Sequence, residues 1–185
     1  MKIAIIGTAG QRGDADRITL ATWSAMLADV RQRVQAAQYS AGSEPFDVTL
    51  VSGGAPYADH LAVMLWRECP VWRLELFLPA PLGRDGFDTS TEAGARIAEL
   101  HAVFRDQLGI DGLRDLKVPA ADGAWVHDGP RFKARNQAIA DRADVVLAST
   151  FGPGTRSYMW QPAISRTLRR RRLVSSPVAP LRPGR

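Results

Sequence analysis

The chain has 185 residues, of which 45% are hydrophobic and 23% charged, and its formal net charge is +5. This length predicts one domain with a real hydrophobic core and excludes two ordinary domains. The single cysteine, Cys69, excludes an internal disulfide and a cysteine-based zinc site. Neither a signal segment nor an apolar run of about 18 residues is visible, so we expect a cytoplasmic protein with no membrane partner.

Apolar runs and apolar periodicity alternate along the chain. The predicted strands are 2–6, 48–51, 72–78 and 145–148, one near Trp125, and a last one at Leu173 and Val174. The predicted helices run from about Leu20 to Tyr39, through Leu61 and Leu65, over 93–108, around Leu113 and Leu116, over about 130–142, and through Trp160, Ile164 and Leu168. Strands that alternate with helices predict an α/β fold with a mostly parallel sheet and helices on both faces.

Three predicted strands are each followed by a glycine-bearing turn. These turns contain Gly7, Thr8, Ala9 and Gly10; then Ser52, Gly53, Gly54 and Ala55; and then Phe151, Gly152, Gly154 and Thr155. Glycine lets a phosphate approach backbone N–H groups, and the helix that follows adds its positive N-terminal end. In parallel sheets ligands lie beyond the carboxyl ends of the strands, so we expect one composite site for an anionic small molecule. For the Gly53-Gly54 turn alone, the alternative is a tight strand-to-helix connection, and for Thr155 it is a helix N-cap.

In chain order, these turns and the segment 132–144, which contains Arg135-Asn136, form a set of four motifs. The set resembles the SLOG superfamily over residues 1 to about 175. That Rossmann-like group contains DNA-processing proteins and Lonely Guy phosphoribohydrolases, and the chain looks closest to YpsA-type members, many from bacteria and their phages. The resemblance implies a single-domain Rossmann-like three-layer sandwich over 1–176, followed by a Pro/Arg-rich tail, 177–185, and it suggests a homo-oligomer such as a dimer.

The resemblance also implies a nucleotide-type ligand, such as a nucleoside phosphate, NAD or ADP-ribose. No metal motif is visible in the sequence, and we identify no other cofactor. Arg135 matches the arginine of the Lonely Guy Arg-Lys pair, and Asn136 replaces the lysine. Gly152, Gly154 and Thr155 match the end of the glycine-rich signature, but Arg156 and its neighbours stand where that signature has glutamate. Because this carboxylate is expected to support ribosyl bond cleavage, its absence favours binding over turnover.

Four residues are candidates for catalysis if the ligand is turned over: Arg135, Asp59, His127 and Glu92. Asp59 is either a general base or ribose acceptor, or an acid that the helix dipole favours. His127 lies on a predicted loop as a mobile acid or base, and Glu92 adjoins the loop 82–91. Arg135 either contacts the ligand or forms a surface pair with Asp141 or Asp144.

Three functions remain open on the sequence: a nucleotide sensor or sequestering protein, a nucleotide N-glycosidic hydrolase, and a nucleic-acid-binding protein. The third depends on a basic run near the C-terminus, which comprises Arg169, Arg170, Arg171 and Arg172. Clustered arginines neutralise phosphates, but arginine at a helix C-terminus also complements the helix dipole. His101 is predicted to lie on the surface of its helix.

Overall fold

The structure is a computed structural model that describes residues 1–10, 13–122, 124–128, 132–150 and 159–160. Its strands are β1 (Lys2–Gly7), β2 (Thr49–Ser52), β3 (Arg73–Leu78), β4 (Trp125–Asp128), β5 (Val145–Thr150) and β6 (Met159–Trp160). Its helices are α1 (Leu20–Ser40), α2 (His60–Glu68), α3 (Glu92–Leu108), α4 (Gly112–Ala121) and α5 (Phe132–Arg142).

The strands form one sheet in the order β4-β3-β2-β1-β5-β6. The first five strands of this order are parallel, and β6 pairs antiparallel with β5. The predicted α/β fold is confirmed: the chain forms a single Rossmann-like domain with a mostly parallel sheet. Because β1 lies between β2 and β5 and the three strands are parallel, their carboxyl ends lie side by side at one edge of the sheet.

Successive side chains along each strand point to opposite faces of the sheet, and each face has its own apolar cluster. On β1, Ile3 and Ile5 belong to the main core, whereas Ala4 belongs to a smaller cluster with Val51 and Ile139. The main core includes buried residues of α1, α2, α3 and α4, and the smaller cluster lies under α5. Each fully buried aliphatic side chain contributes about 2 kcal/mol, so both faces need their helices for stability.

Local signals define the ends of the two longest helices. The Thr19 side chain accepts the N–H of Thr22 at the start of α1, and the Thr91 side chain accepts the N–H of Gly94 at the start of α3. Gly109 ends α3 with a left-handed φ of 70°. These are standard N-cap and C-cap arrangements, and they explain why both helices begin and end close to their predicted limits.

The prediction of a helix through Trp160 is wrong at that residue. Met159 and Trp160 form β6, in which Thr150 pairs with Met159 and Ser149 pairs with Trp160. Pairing with a neighbouring strand overrides the local apolar spacing that favoured a helix. The remainder of that predicted helix, the predicted strand at 173–174 and the tail lie outside the described residues.

None of the helices in the described part of the chain has both the length and the hydropathy needed to span a membrane.

Candidate functional site

Backbone hydrogen bonds join the first two glycine turns at the carboxyl edge of the sheet. Ala58 N–H donates to the Thr8 carbonyl at 3.2 Å, and Thr8 N–H donates to the Ser149 carbonyl at 2.9 Å. The ends of β1 and β5 and the segment after β2 are therefore held in contact. The structure thus brings Gly7, Thr8 and the second turn together, as the parallel arrangement predicts.

Gly53 is the point at which α5 approaches the second turn most closely. Arg135 Nη1 donates to the Gly53 carbonyl at 3.1 Å. A Cβ at Gly53 would lie 2.6 Å from Arg135 Cζ and 2.7 Å from Asp59 Oδ2, which is closer than real side chains approach. Glycine is therefore required here by close packing of two charged side chains.

Arg135 is 8% exposed and lies among fixed partners. Its Nε and Nη2 donate to Asn136 Oδ1 at 3.1 and 2.9 Å, and its Cζ lies 5.3 Å from the centre of the Phe132 ring. The alternative of a surface pair is wrong, because Asp141 accepts a hydrogen bond from Gln137 and Asp144 accepts one from the Lys2 backbone. Within the described residues, these bonds use three of the five N–H donors of a guanidinium.

Asp59 immediately precedes α2, and its side chain lies at the same place beside Gly53. It is 3% exposed, and its Oδ2 lies 3.7 Å from Arg135 Nη2. Burial raises the pKa of Asp59 to about 6, although the charge of Arg135 and the nearby backbone N–H groups of Gly7, Ala55 and Gly53 lower it. Asp59 makes no side-chain cap to α2, and its carboxylate faces Arg135 instead.

Backbone amides of both turns are engaged by the protein itself, and in the first turn Thr8 N–H donates to the Ser149 carbonyl and Gly10 N–H to Thr8 Oγ1. Gly54 N–H donates to Ser52 Oγ at 3.2 Å, and Ser52 Oγ–H donates to the Asp59 carbonyl at 2.7 Å. The first turn is more accessible, because Gly7 is exposed and Thr8, Ala9 and Gly10 are half-buried, whereas Ser52, Gly53, Gly54 and Ala55 are buried. An incoming ligand therefore meets the first turn first.

Thr8 organises this first turn. Its Oγ1 donates to Asp14 Oδ2 at 2.6 Å and accepts the N–H of Gly10 at 3.2 Å. The hydroxyl thus fixes the backbone between β1 and the segment that leads to α1.

The prediction that His101 lies on the surface of its helix is wrong. His101 contacts the second turn from the face of the sheet opposite to α5. It is 3% exposed, and its Nε2 lies 3.0 Å from the carbonyl of Gly54, which has a left-handed φ of +67°. Burial lowers the pKa of His101 to about 4, so the ring is neutral at pH 7. Because a carbonyl can only accept, Nε2 carries the proton. The spacing of His101 from Ile97 and Phe104 places all three on the buried side of α3, a signal that was present in the sequence.

His127 does not lie on a loop. It belongs to β4, where its Nε2 lies 2.9 Å from Glu75 Oε1 and its ring stacks on Phe77 at 4.5 Å. It therefore contacts Glu75 rather than the pair of Asp59 and Arg135. Glu92 is exposed in the first turn of α3.

Sequence reasoning missed Glu75, a buried carboxylate in the middle of β3. It also accepts hydrogen bonds from Lys2 at 3.1 Å and from Arg142 at 2.9 Å. Burial alone would raise the pKa of Glu75, but hydrogen bonds from Arg142, Lys2 and His127 outweigh burial and lower it. The sequence signal for a buried carboxylate was a charged residue between Leu74 and Leu76 in a predicted strand. Its three basic partners come from three separate elements.

Five predicted ligand contacts, Phe151, Gly152, Gly154, Thr155 and Arg156, lie outside the described residues, as do Arg169, Arg170, Arg171 and Arg172. Among the residues that are described, no cluster of three or more His, Cys, Asp or Glu side chains is arranged to hold a metal ion.

Two cavities lie away from the glycine turns. One of about 290 Å³ is lined by Trp66, Trp72 and Trp125, among others. The other, of about 270 Å³, lies between α3 and α4. Neither is lined by Asp59 or Arg135. We assign the candidate site by the convergence of the turns and charged groups, because ligands of such sheets bind at the carboxyl edge.

The fold and the joined turns define a Rossmann-like α/β protein with a buried Asp-Arg pair at the carboxyl edge of its sheet. The chain belongs to the same family as the "Uncharacterized protein R261" of Acanthamoeba polyphaga mimivirus. The two are 30% identical over 155 residues, which cover 82% of each chain. No family model matches the chain, and no solved structure gives a significant match.

Proposed function

We propose that this protein binds a nucleotide or nucleotide-derived ligand, such as a nucleoside phosphate, NAD or ADP-ribose, at the carboxyl edge of β1 and β2. The half-buried first turn would receive the phosphate, and Arg135 would supply positive charge from α5. The protein would act as a sensor or a sequestering protein rather than as an enzyme.

One observation carries this proposal: Arg135 is a buried guanidinium held in place at the junction of the glycine turns. Asn136, Gly53 and the Phe132 ring fix its position. Two of its N–H donors remain after the hydrogen bonds within the described residues. A guanidinium that is already fixed in place is well suited to a phosphate, because little side-chain entropy is lost when the ligand binds.

The arrangement of the candidate catalytic groups favours binding over hydrolysis. A general acid or base must come within hydrogen-bond reach of the reacting atoms. His127 contacts Glu75 on β3, and Glu92 is exposed at the start of α3. Asp59 is 3% exposed and its carboxylate faces Arg135, so it pairs with the arginine rather than serving as a general acid or base.

Native mass spectrometry tests the proposal with nucleoside mono- and diphosphates, NAD and ADP-ribose added separately to the purified protein. We expect at least one of them to be retained intact. Arg135→Ala should lose this ligand, and Arg135→Lys should retain it only weakly, because lysine keeps the charge without the planar array of donors. Arg31→Ala is the matched control, since Arg31 forms an exposed ion pair with Glu68 and contacts neither glycine turn in the hydrogen bonds described.

Each outcome separates the candidate functions. Retention of an intact ligand that depends on Arg135 supports the sensor. Release of a free base or a ribose phosphate would instead identify a hydrolase. If no compound is retained by the wild-type protein, or if Arg135→Ala binds as tightly as wild type, the proposal is wrong.

A further inference from the structure

We propose that Asp59 sets the anion affinity of this site by balancing the charge of Arg135, so that phosphate-bearing ligands bind most tightly when Asp59 is neutral. This inference rests on the proposed function and gives Asp59 a role different from that of a catalytic base. Asp59 acts through Arg135 and the turns, so it is a positioning residue and a determinant of affinity.

The position of the carboxylate is the first step of the argument. Asp59 is 3% exposed, and its Oδ2 lies so close to the second turn that a Cβ at Gly53 would come within 2.7 Å of it. Glycine turns at the carboxyl edge of a sheet are a common receptor for a phosphate or another anion. Here the protein's own carboxylate lies against such a turn, so an external anion must bind beside a negative charge that is already present.

The second step is the charge of the immediate surroundings. Within the described residues, Arg135 is the charged side chain that forms an ion pair with Asp59, at 3.7 Å from Nη2 to Oδ2. When Asp59 is ionised, the buried pair has no net charge. When Asp59 is protonated, the positive charge of Arg135 is uncompensated. An anion is attracted more strongly to the second state, particularly in a region with little water.

The third step relates this charge balance to pH. Burial raises the pKa of Asp59 to about 6, so the carboxyl group is mostly ionised at neutral pH and mostly neutral in mildly acidic solution. If the anion binds only the neutral form, its apparent affinity follows the neutral fraction and rises by up to about 25-fold between pH 7.5 and 5.5. A partial preference would give a smaller rise in the same direction.

Calorimetric titration with sodium sulfate and with ADP, at pH 7.5 and 5.5, tests the inference. Sulfate is a useful probe because its charge does not change over this range, whereas phosphate groups titrate within it. We expect wild-type affinity for sulfate to rise at the lower pH. Asp59→Asn should bind sulfate more tightly than wild type at pH 7.5 and should show little pH dependence.

Asp141→Asn is the matched control, because Asp141 is an exposed acid on the same helix as Arg135 and bonds to Gln137. It should retain the wild-type affinity and pH profile. If Asp59→Asn fails to fold, wild-type NMR supplies the measurement. The Gly53 and Ala55 amide shifts should titrate with Asp59, and saturating sulfate should move their midpoint to higher pH, because linkage is reciprocal.

The outcomes distinguish this inference from the proposed function. If wild type binds neither sulfate nor ADP at either pH, both fail. If wild type binds ADP but Asp59→Asn has the same sulfate affinity and pH profile, only the role of Asp59 is overturned. Weaker binding by Asp59→Asn at pH 7.5 would also overturn it, because the carboxylate would then contribute to binding rather than oppose it.

Discussion

Arg135 and Gly53 are 82 positions apart in the chain, yet the Arg135 guanidinium donates to the Gly53 carbonyl at 3.1 Å. His101 makes the corresponding contact to the next residue, Gly54, at 3.0 Å. Arg135 comes from α5 and His101 from α3, which pack on opposite faces of the sheet. The second turn is therefore held from both faces, and its conformation depends on contacts distant in sequence.

Replacing Gly53 by alanine should disrupt the contact between α5 and the second turn. The new Cβ would lie 2.6 Å from Arg135 Cζ and 2.7 Å from Asp59 Oδ2, so one side chain must move. We expect a loss of about 2 kcal/mol in the free energy of unfolding, as for other overpacked sites, together with loss of ligand binding. Urea unfolding and calorimetry measure both effects.

Gly83→Ala is the control for this change, because its Cβ would lie 3.7 Å from the nearest neighbouring atom. It should leave stability nearly unchanged. Equal stability of the two variants would contradict the close approach of Arg135 and Asp59 to Gly53.

Replacing His101 by leucine should leave the Gly54 carbonyl buried without its donor. An unsatisfied buried carbonyl destabilises by about 2 kcal/mol, which thermal or urea unfolding detects readily. Val103→Ala provides the comparison, because Val103 lies on the same helix and is 44% exposed. A surface role for His101 would instead make the two substitutions similarly mild.

The raised pKa of Asp59 predicts a specific pH dependence of stability. Between pH 4 and 6 the native state holds a proton on Asp59 that the unfolded chain has released. The contribution of Asp59 to the free energy of unfolding therefore falls as the pH rises through this window, by up to about 3 kcal/mol.

Urea unfolding of wild type and Asp59→Asn at about pH 4.5 and pH 7.5 measures this contribution. From pH 4.5 to pH 7.5, the free energy of unfolding of wild type should fall by about 2 kcal/mol relative to that of Asp59→Asn. The same difference between the proteins at both pH values would show that Asp59 is not the titrating group.

Glu75→Gln should destabilise the protein by about 2 kcal/mol, because it leaves three basic groups beside a buried neutral side chain. The loss is moderated because Lys2, His127 and Arg142 have side chains that are 26%, 47% and 49% exposed. The pKa of Glu75 is lowered, so its stabilising contribution should be present at neutral pH and disappear in acid. Glu68→Gln, in an exposed pair with Arg31, should change stability by less than about 1 kcal/mol.

Most of the fold could be predicted because its signals are local. The apolar run predicted as strand 72–78 is observed as Arg73–Leu78, and the periodic segment 93–108 is observed as Glu92–Leu108. Buried parallel strands and amphipathic helices show these patterns over a few residues. Trp160 was misassigned because pairing with β5, rather than local spacing, determines its structure.

The sequence predicts a place for the candidate site but not the arrangement of its side chains. Glycine turns after β1 and β2 predict a site at the carboxyl edge of the sheet. The sequence does not show that Asp59 would face Arg135, because that contact joins residues distant in the chain and depends on burial. The predicted loop at His127 is wrong because this segment pairs with β3 as strand β4.

The most direct test of the account is ¹H–¹⁵N NMR of the labelled protein during titration with ADP-ribose or with whichever nucleotide native mass spectrometry identifies. The account predicts that the largest shifts occur at the amides of Gly7, Thr8, Ala9 and Gly10 and at the Arg135 Nε–H. Shifts confined to the indole groups of Trp66, Trp72 and Trp125, with none at these turns, would place the ligand in the cavity of about 290 Å³ and contradict the account.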